Sequence, residues 1–158
     1  MKIAIYPGSF DPITKGHLDI VSRACKLFDK VYVLVSVNIK KKYMFSVEER
    51  VEMIKHSFKN IENVEVVSCD SLVVDFAKKV NAKYIIRGVR NHNDFYSEQE
   101  LAYFNKKLNP DIETILLFPS IENMYVSSSI VKELVNFNQD VSEYVSEYVN
   151  NKIQEKRQ

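Results

Sequence analysis

Five short apolar runs, at 2–7, 31–37, 63–67, 83–87 and 112–118, alternate with segments whose apolar residues recur at helical spacing, near 17–28, 46–58, 71–80 and 94–108. That alternation restricts the fold more than any other feature, because strands separated each time by a helix pair in parallel. Two runs, Val31-Tyr-Val-Leu-Val-Ser-Val37 and Ile115-Leu-Leu-Phe118, are almost continuously apolar, as expected of strands covered on both faces. Right-handed crossovers then set helices on each side of the sheet. Two further helices are expected near 127–137 and 140–156. The reading is an α/β, doubly wound sheet of about five parallel strands with helices on both faces and C-terminal helices.

The first strand–helix unit carries the most chemistry. Ile3-Ala4-Ile5-Tyr6 reads as a buried strand that Pro7 and Gly8 stop, after which Leu18, Ile20, Val21, Ala24 and Leu27 follow helical spacing. The junction, Tyr6-Pro-Gly-Ser-Phe-Asp-Pro-Ile-Thr-Lys-Gly-His17, delivers Thr14, Gly16 and His17 where the helix starts. A helix N-terminus offers free N–H groups and the positive end of a dipole, which together attract phosphate. Gly16 has no Cβ to keep a ligand off the backbone. His17 adds a donor able to carry charge. At the later helix starts, Ser46 with Glu48 and Glu49 suits a capped N-terminus, and Asp70 or Ser71 is expected to cap the helix that follows.

Composition narrows the partners. A chain of 158 residues fits one domain, residues 1–158, and 22 basic against 21 acidic residues leave a net charge of +1. Such a balance creates no field that would recruit nucleic acid, so any anion must be held by a local cluster. Cys25 and Cys69, far apart in sequence, read as reduced thiols. The N-terminus reads as a strand rather than a leader, and no apolar run nears the ~20 residues that a membrane helix needs. A cytosolic protein is expected. There are no repeats or linkers, and only Gln154 to Gln158 look solvated.

In an open α/β sheet, ligands bind beyond the carboxyl ends of the strands, near the point where strand order reverses. The corresponding segments are Gly8 to His17, Asn38 to Met44, Arg87 to Asp94 and Pro119 to Ser129. Lys40-Lys41-Lys42 there is either a solvated charge run or a point-charge anchor for an anionic substrate. Arg87-Gly88-Val89-Arg90 either pairs with acids on neighbouring helices or grips phosphate with planar forks while Gly88 admits the ligand. Ser127-Ser128-Ser129 opens a helix with three hydroxyls, of which capping alone would use one. Asp11, Asp94 and Glu98 are the nearby acids, without paired-carboxylate or metal-ligand spacing. His56, His92 and the two cysteines lack zinc spacing, and no serine has a base beside it. Neither Gly-x-Gly-x-x-Gly nor a Walker A loop is present.

With these residues assembled, the chain resembles the bacterial phosphopantetheine adenylyltransferases of the Thr/His-x-Gly-His nucleotidyltransferase superfamily, a Rossmann-like group. The resemblance runs through nearly the whole chain. It rests on the 6–17 junction, Met44-Phe45-x-x-Glu48-Glu49-Arg50, Ile86-Arg87-Gly-x-Arg90, Asp94-Phe95 and Ser127-Ser-Ser-x-Val-Lys-Glu133. It implies catalytic roles for His17, Lys41 and Arg90. Ser9, Phe10, His17, Gly88, Val89, Arg90 and Glu98 would meet ATP, as would Asn123, Met124, Tyr125, Val126, Ser127, Ser128 and Ser129. Ser9, Lys41, Val73 and Arg87 would meet 4′-phosphopantetheine. The adenine side departs from the family pattern: Asp94-Phe95-Tyr96-Ser97-Glu98 lacks the usual Glu-Tyr between Phe and Glu, and Asn123 replaces a frequent Trp.

The resemblance further implies that the 4′-phosphate of phosphopantetheine attacks the α-phosphorus of ATP in line, giving dephospho-CoA and pyrophosphate without a covalent enzyme intermediate. The nucleophile is already an anion, so no general base is needed. Magnesium would travel with the ATP phosphates rather than in a protein-built centre, and the family suggests a homohexamer. Two readings compete: a sister nucleotidyltransferase acting on nicotinate mononucleotide or glycerol phosphate, and a module that binds ATP without turnover.

Overall fold

The computed structural model describes residues 1–157. It contains one five-stranded parallel sheet in the order β3-β2-β1-β4-β5. The strands are β1 (Ile3–Gly8), β2 (Lys30–Ser36), β3 (Val64–Cys69), β4 (Tyr84–Gly88) and β5 (Glu113–Leu117). The helices are α1 (Lys15–Leu27), α2 (Val47–Ser57), α3 (Val73–Lys79), α4 (His92–Leu108), α5 (Ser128–Asn136) and α6 (Glu147–Arg157), with a 3-10 turn at Ile121–Asn123. Strand order runs outward from β1 through β2 to β3, then returns to the other side of β1 with β4. The reversal therefore falls between β1 and β4, where such sheets bind ligands.

Strand alternation sorts the core into two layers. Ala4, Tyr6, Val31, Val33 and Val35 point to a face packed by Ile20, Val21 and Ala24 of α1, Met53 and Ile54 of α2, Val131 of α5, and Val149 and Ile153 of α6. Ile3, Ile5, Leu34 and Ile85 point to the opposite face, against Val74, Phe76 and Ala77 of α3. Helix α4 belongs to neither layer: Glu98 is its single buried residue, while Phe95, Tyr96, Leu101, Tyr103, Phe104 and Leu108 stand exposed.

Several elements depart from the sequence reading. Pro7 and Gly8 do not stop β1; they pair in register with Leu34 and Val35 of β2. A proline is tolerated this deep in the sheet because β1 pairs with β4 only at Ala4 and Ile5. Beyond those positions the ladder is open, the Pro7 carbonyl instead accepts Arg87 Nη1 at 3.2 Å, and a missing N–H costs no ladder bond. Helix α3 starts after Leu72, with no side-chain cap, so neither Asp70 nor Ser71 does that work. Strand β5 is a half-exposed edge rather than a covered strand, and Phe118 beyond it is 73% exposed. The last helix begins at Glu147, not near 140, because 142–144 form a turn and 145 a bend ahead of it. It runs through Arg157, which donates to the Gln139 carbonyl at 2.7 Å, so 154–157 are not a loose tail; Gln158 lies outside the described residues. Both cysteines are half-buried free thiols, and burial pushes the Cys25 thiol up.

Gly8 is required by packing. A Cβ built there would stand 3.0, 3.1 and 3.2 Å from three atoms of the Phe10 ring. Phe10 is 2% exposed and wedged against the rings of Tyr6 and His17, with centroids 5.5 and 5.0 Å away, so it has nowhere to retreat. Gly8→Ala is expected to lower unfolding stability by about 1–3 kcal/mol, the usual cost of overpacking. Urea denaturation measures it, and an unchanged midpoint would contradict this packing.

Candidate active site

At the reversal between β1 and β4 lies a cleft of about 310 Å³. The strand ends Pro7, Gly8, Arg87 and Gly88 form its floor, Gly16, His17 and Ile20 of α1 one wall, and Arg90, Asp94 and Glu98 another. Pro119, Ser127 and Ser128 close the rim. The topology thus brings together Phe10, His17, Arg87, Gly88, Arg90, Glu98, Ser127 and Ser128 of the residues singled out from sequence. Gly16 and Asp94 join them, whereas Ser9, Lys41, Val73, Val89, Asn123 to Val126 and Ser129 do not line it.

His17 owes its orientation to the way α1 begins. Thr14 is the N-cap, and His17 occupies the third helical position, where a capping box usually carries Glu or Gln. The Thr14 hydroxyl accepts the His17 backbone N–H at 3.4 Å, and the Thr14 backbone N–H donates to His17 Nδ1 at 3.0 Å. Thr14 Oγ1 sits 3.1 Å from the same ring nitrogen. A backbone amide can only donate, so Nδ1 is an acceptor and the ring proton of the neutral imidazole resides on Nε2. Burial first, and the Arg90 charge second, hold the His17 pKa down to about 4. His17 is therefore a neutral donor near pH 7, correcting the expectation of a chargeable group. Its edge contact with Phe10 fixes the ring from the other side. Phe10 itself has φ 49°, a left-handed conformation that costs a non-glycine residue about 1–2 kcal/mol and is held by the packing of its ring. Burial keeps the neighbouring Tyr6 phenol well above its ordinary pKa, hence neutral.

Both cleft arginines are paired with acids of α4, as the plainer sequence reading foresaw, yet both still face the cleft. Arg87 Nε lies 2.7 Å from Glu98 Oε2, and Arg90 Nε 3.0 Å from Asp94 Oδ2, which also accepts the Arg90 backbone N–H. These pairs aim the two guanidinium groups, leaving Arg90 Nη2 only a distant partner at 3.5 Å. Gly88 is less confined than expected of a close-approach glycine: a Cβ would meet nothing nearer than Ile20 at 3.7 Å and would instead narrow the cleft. Val89 is buried behind it.

The three serines divide their work. Ser127 caps α5 by accepting the Ile130 N–H at 3.2 Å, and Ser128 Oγ donates to the Pro12 carbonyl at 2.8 Å, tying α5 to the first junction. Ser129 is exposed. In the preceding turn, Met124 and Tyr125 are exposed, Val126 is buried, and Asn123 donates to Ser120 Oγ at 2.8 Å. The Val126 and Asn123 carbonyls stand 3.5 and 3.9 Å from where a Gly16 Cβ would be, ordinary contact distances, so this turn packs against the start of α1 without requiring glycine there. Sequence reasoning missed Asp19, whose Oδ2 accepts the Ser120 N–H at 2.9 Å and so holds the β5 exit against α1; its place one turn along α1 is the only sequence signal.

Lys41 and Val73 lie away from the cleft, at the neighbouring exits of β2 and β3, where the Val37 N–H donates to the Cys69 carbonyl at 2.9 Å. Lys41 is exposed, and around this exit Ile39 and Leu72 expose 94% and 57% of their surface. Ser9 sits between the two regions. Among the described residues no cluster of His, Cys, Asp or Glu could hold a metal ion, and no helix is long and apolar enough to cross a membrane.

The profile of the cytidylyltransferase-like family matches residues 5–134. A protein of Caldanaerobacter subterraneus subsp. tengcongensis named phosphopantetheine adenylyltransferase is 50% identical over 99% of this chain and 98% of its own length. Proteins of the same name from Clostridium botulinum strain Alaska E43 and Dictyoglomus thermophilum are 53% and 47% identical, over 87% and 97% of this chain and 86% and 93% of their own. A solved structure from Vibrio parahaemolyticus, provisionally named a nicotinate-nucleotide adenylyltransferase, superposes with TM-score 0.75 over 98% of this chain and 99% of that one. At 17% identity this likeness speaks to the fold.

The histidine geometry has a pH signature. Between pH 6.5 and about 4 the unfolded chain protonates His17 while the folded protein resists, so stability is fully retained above that window and declines as pH falls through it. NMR titration is expected to show the Nε2–H tautomer with a midpoint near 4, and a midpoint at the ordinary value would contradict this site.

Proposed function

The chain belongs to the cytidylyltransferase-like family and, within it, groups with the phosphopantetheine adenylyltransferases; from that premise we propose that it transfers the adenylyl group of ATP to 4′-phosphopantetheine, yielding dephospho-CoA and pyrophosphate. The observation that carries the reading is the division of the sheet's carboxyl edge. The β1/β4 side offers Arg90, a helix N-terminus and a neutral histidine donor, suited to a polyphosphate, with Arg87 beside them for the acceptor phosphate. The β2/β3 side offers a lysine beside exposed Ile39 and Leu72, suited to a phosphate carried on an apolar arm. Ser9, Phe10 and His17 lie where the two substrates would meet.

The reaction asks little covalent chemistry of the protein. The acceptor phosphate is an anion and attacks the α-phosphorus of ATP in line, with pyrophosphate leaving on the opposite side. The work left is positioning and neutralising charge. His17 Nε2–H donates to an α-phosphoryl oxygen as negative charge develops there, and being neutral it gives up no proton. Arg90 and Ser127 to Ser129 receive the outer phosphates, Gly88, Val89 and Asn123 to Val126 border the nucleoside, Arg87 and Lys41 steady the acceptor phosphate, and Val73 meets the pantetheine arm. Glu98 orients Arg87 while bordering the nucleotide. Because Asp94 and Glu98 are committed to arginines, a magnesium ion would be held by ATP oxygens and water, where it would screen the phosphate charge.

The same reading places the protein in the cytoplasm as a homo-oligomer, a homohexamer by family likeness. The uncovered aromatic and aliphatic face of α4 supplies a surface for copies of the chain.

Pyrophosphate release is expected from ATP with phosphopantetheine, and not from CTP, nicotinate mononucleotide or glycerol phosphate arms of the same panel. Silence with the first pair would overturn the proposal. His17→Ala should cut kcat by about 10²–10³-fold, the usual effect of removing a transition-state donor, with ATP affinity largely retained. For assembly, Phe104→Glu should shift the sedimentation coefficient toward smaller species, while unchanged sedimentation would exclude this face.

A further inference from the structure

Asp11 is the one acid of the 6–17 junction, and the chemistry just proposed leaves it without a task. It is 1% exposed, and its carboxylate is spent on the backbone of a remote segment: Oδ2 accepts the Met44 N–H at 2.8 Å and Oδ1 the Phe45 N–H at 2.9 Å. Lys132 Nζ of α5 stands 3.4 Å from Oδ2. A second buried charge works the same seam. Arg50, also 1% exposed, donates from Nη1 to the carbonyls of Ser9 at 2.7 Å and Ser36 at 3.2 Å. Its guanidinium lies 4.0 Å over the Tyr43 ring, and the Tyr43 hydroxyl accepts the Asn38 N–H at 3.3 Å.

Between these ties, Ile39 to Lys42 are exposed and bonded only locally, Lys40 and Lys41 to Asn38. The position of Lys41 against His17 is therefore set by what holds the ends of its segment. Apolar side chains would fill the same space without the cost of desolvating two charges, whereas hydrogen bonds from a carboxylate and a guanidinium are directional and hold one register.

We propose that Asp11, seconded by Arg50, is a positioning residue that fixes the Lys41 segment relative to His17, and so governs the acceptor phosphate rather than the nucleotide. This rests on the adenylyl-transfer reading above. The nucleotide-facing Arg90, and Arg87 beside it on the acceptor side, hang from the end of β4 and are oriented by α4, with no bond to Asp11 or Arg50. Lys41, the other acceptor anchor, hangs from the segment that both residues tie down.

Asp11→Asn keeps the volume but turns one acceptor into a donor facing an N–H. With both substrates varied in a pyrophosphate-release assay, KM for phosphopantetheine should rise on the order of 10-fold or more while KM for ATP stays within about twofold, as misplacing one reactant predicts. Arg50→Lys, which keeps the charge and loses the fork, should split the two constants in the same direction. An equal rise in both, or no rise in either, would overturn the proposal. Hydrogen exchange on the wild-type protein tests the tie without any variant. The Met44 and Phe45 amides should exchange far more slowly than those of Lys40 to Lys42, and equal rates would also overturn it. An inactive wild type would count against the adenylyl-transfer reading, whereas an active wild type with indifferent variants would count against Asp11 alone.

Discussion

The bond from the Thr14 backbone N–H to His17 Nδ1 joins two tasks that proteins usually separate. It satisfies an orphan amide at the start of α1, and it dictates which nitrogen of the imidazole carries the proton. Because the bond is intrahelical in origin, the histidine needs no partner from elsewhere in the sequence to be correctly protonated and aimed. What surrounds it steadies the ring and keeps water and protons away: Phe10 at the ring edge, Tyr6 behind it, and the Arg90 charge opposing protonation. The order follows from there. Gly8 is small so that Phe10 fits, and Phe10 bends its own backbone to reach His17.

The charges of the cleft follow a different economy. Its two arginines are matched by two carboxylates from α4, so the cleft is close to electrically balanced while presenting directed donors. An anionic ligand entering the cleft would meet guanidinium groups already oriented by their acids, with little side-chain freedom left to lose on binding. The overall charge of +1 is thus a poor guide to the site, where the field is local and built from pairs.

Much of this was legible in the sequence because it depends on local pattern. Apolar runs alternating with helical spacing give parallel strands, and Ser46 followed by Glu49 gave a helix start that the structure realises as a full capping box. Thr14 and His17 stood three apart, the spacing of that same box, but a histidine in place of glutamate hid the reciprocal bond and made the group look chargeable. What could not be read was long-range. That Pro7 stays in β1 depends on β4 falling away beside it, and that Asp11 and Arg50 are buried depends on which carbonyls and amides the fold brings to them. The Leu72 start of α3 shows the converse: good capping residues at 70 and 71 go unused because packing of Val74, Phe76 and Ala77 sets where that helix lies.

One further matter turns on how little of β1 is laced to β4. Registered pairing covers Ala4 and Ile5 on that side, against the full length of β1 on the β2 side. The sheet is in effect two leaves, β1 to β3 and β4 to β5, stitched near the bottom and parted toward the top by a proline, with one arginine reaching across. Fewer paired residues join the sheet along that line than along any of its other seams. A molecule lodged in the parting would grip both leaves at once, so occupancy and stiffness of the protein become a single mechanical quantity.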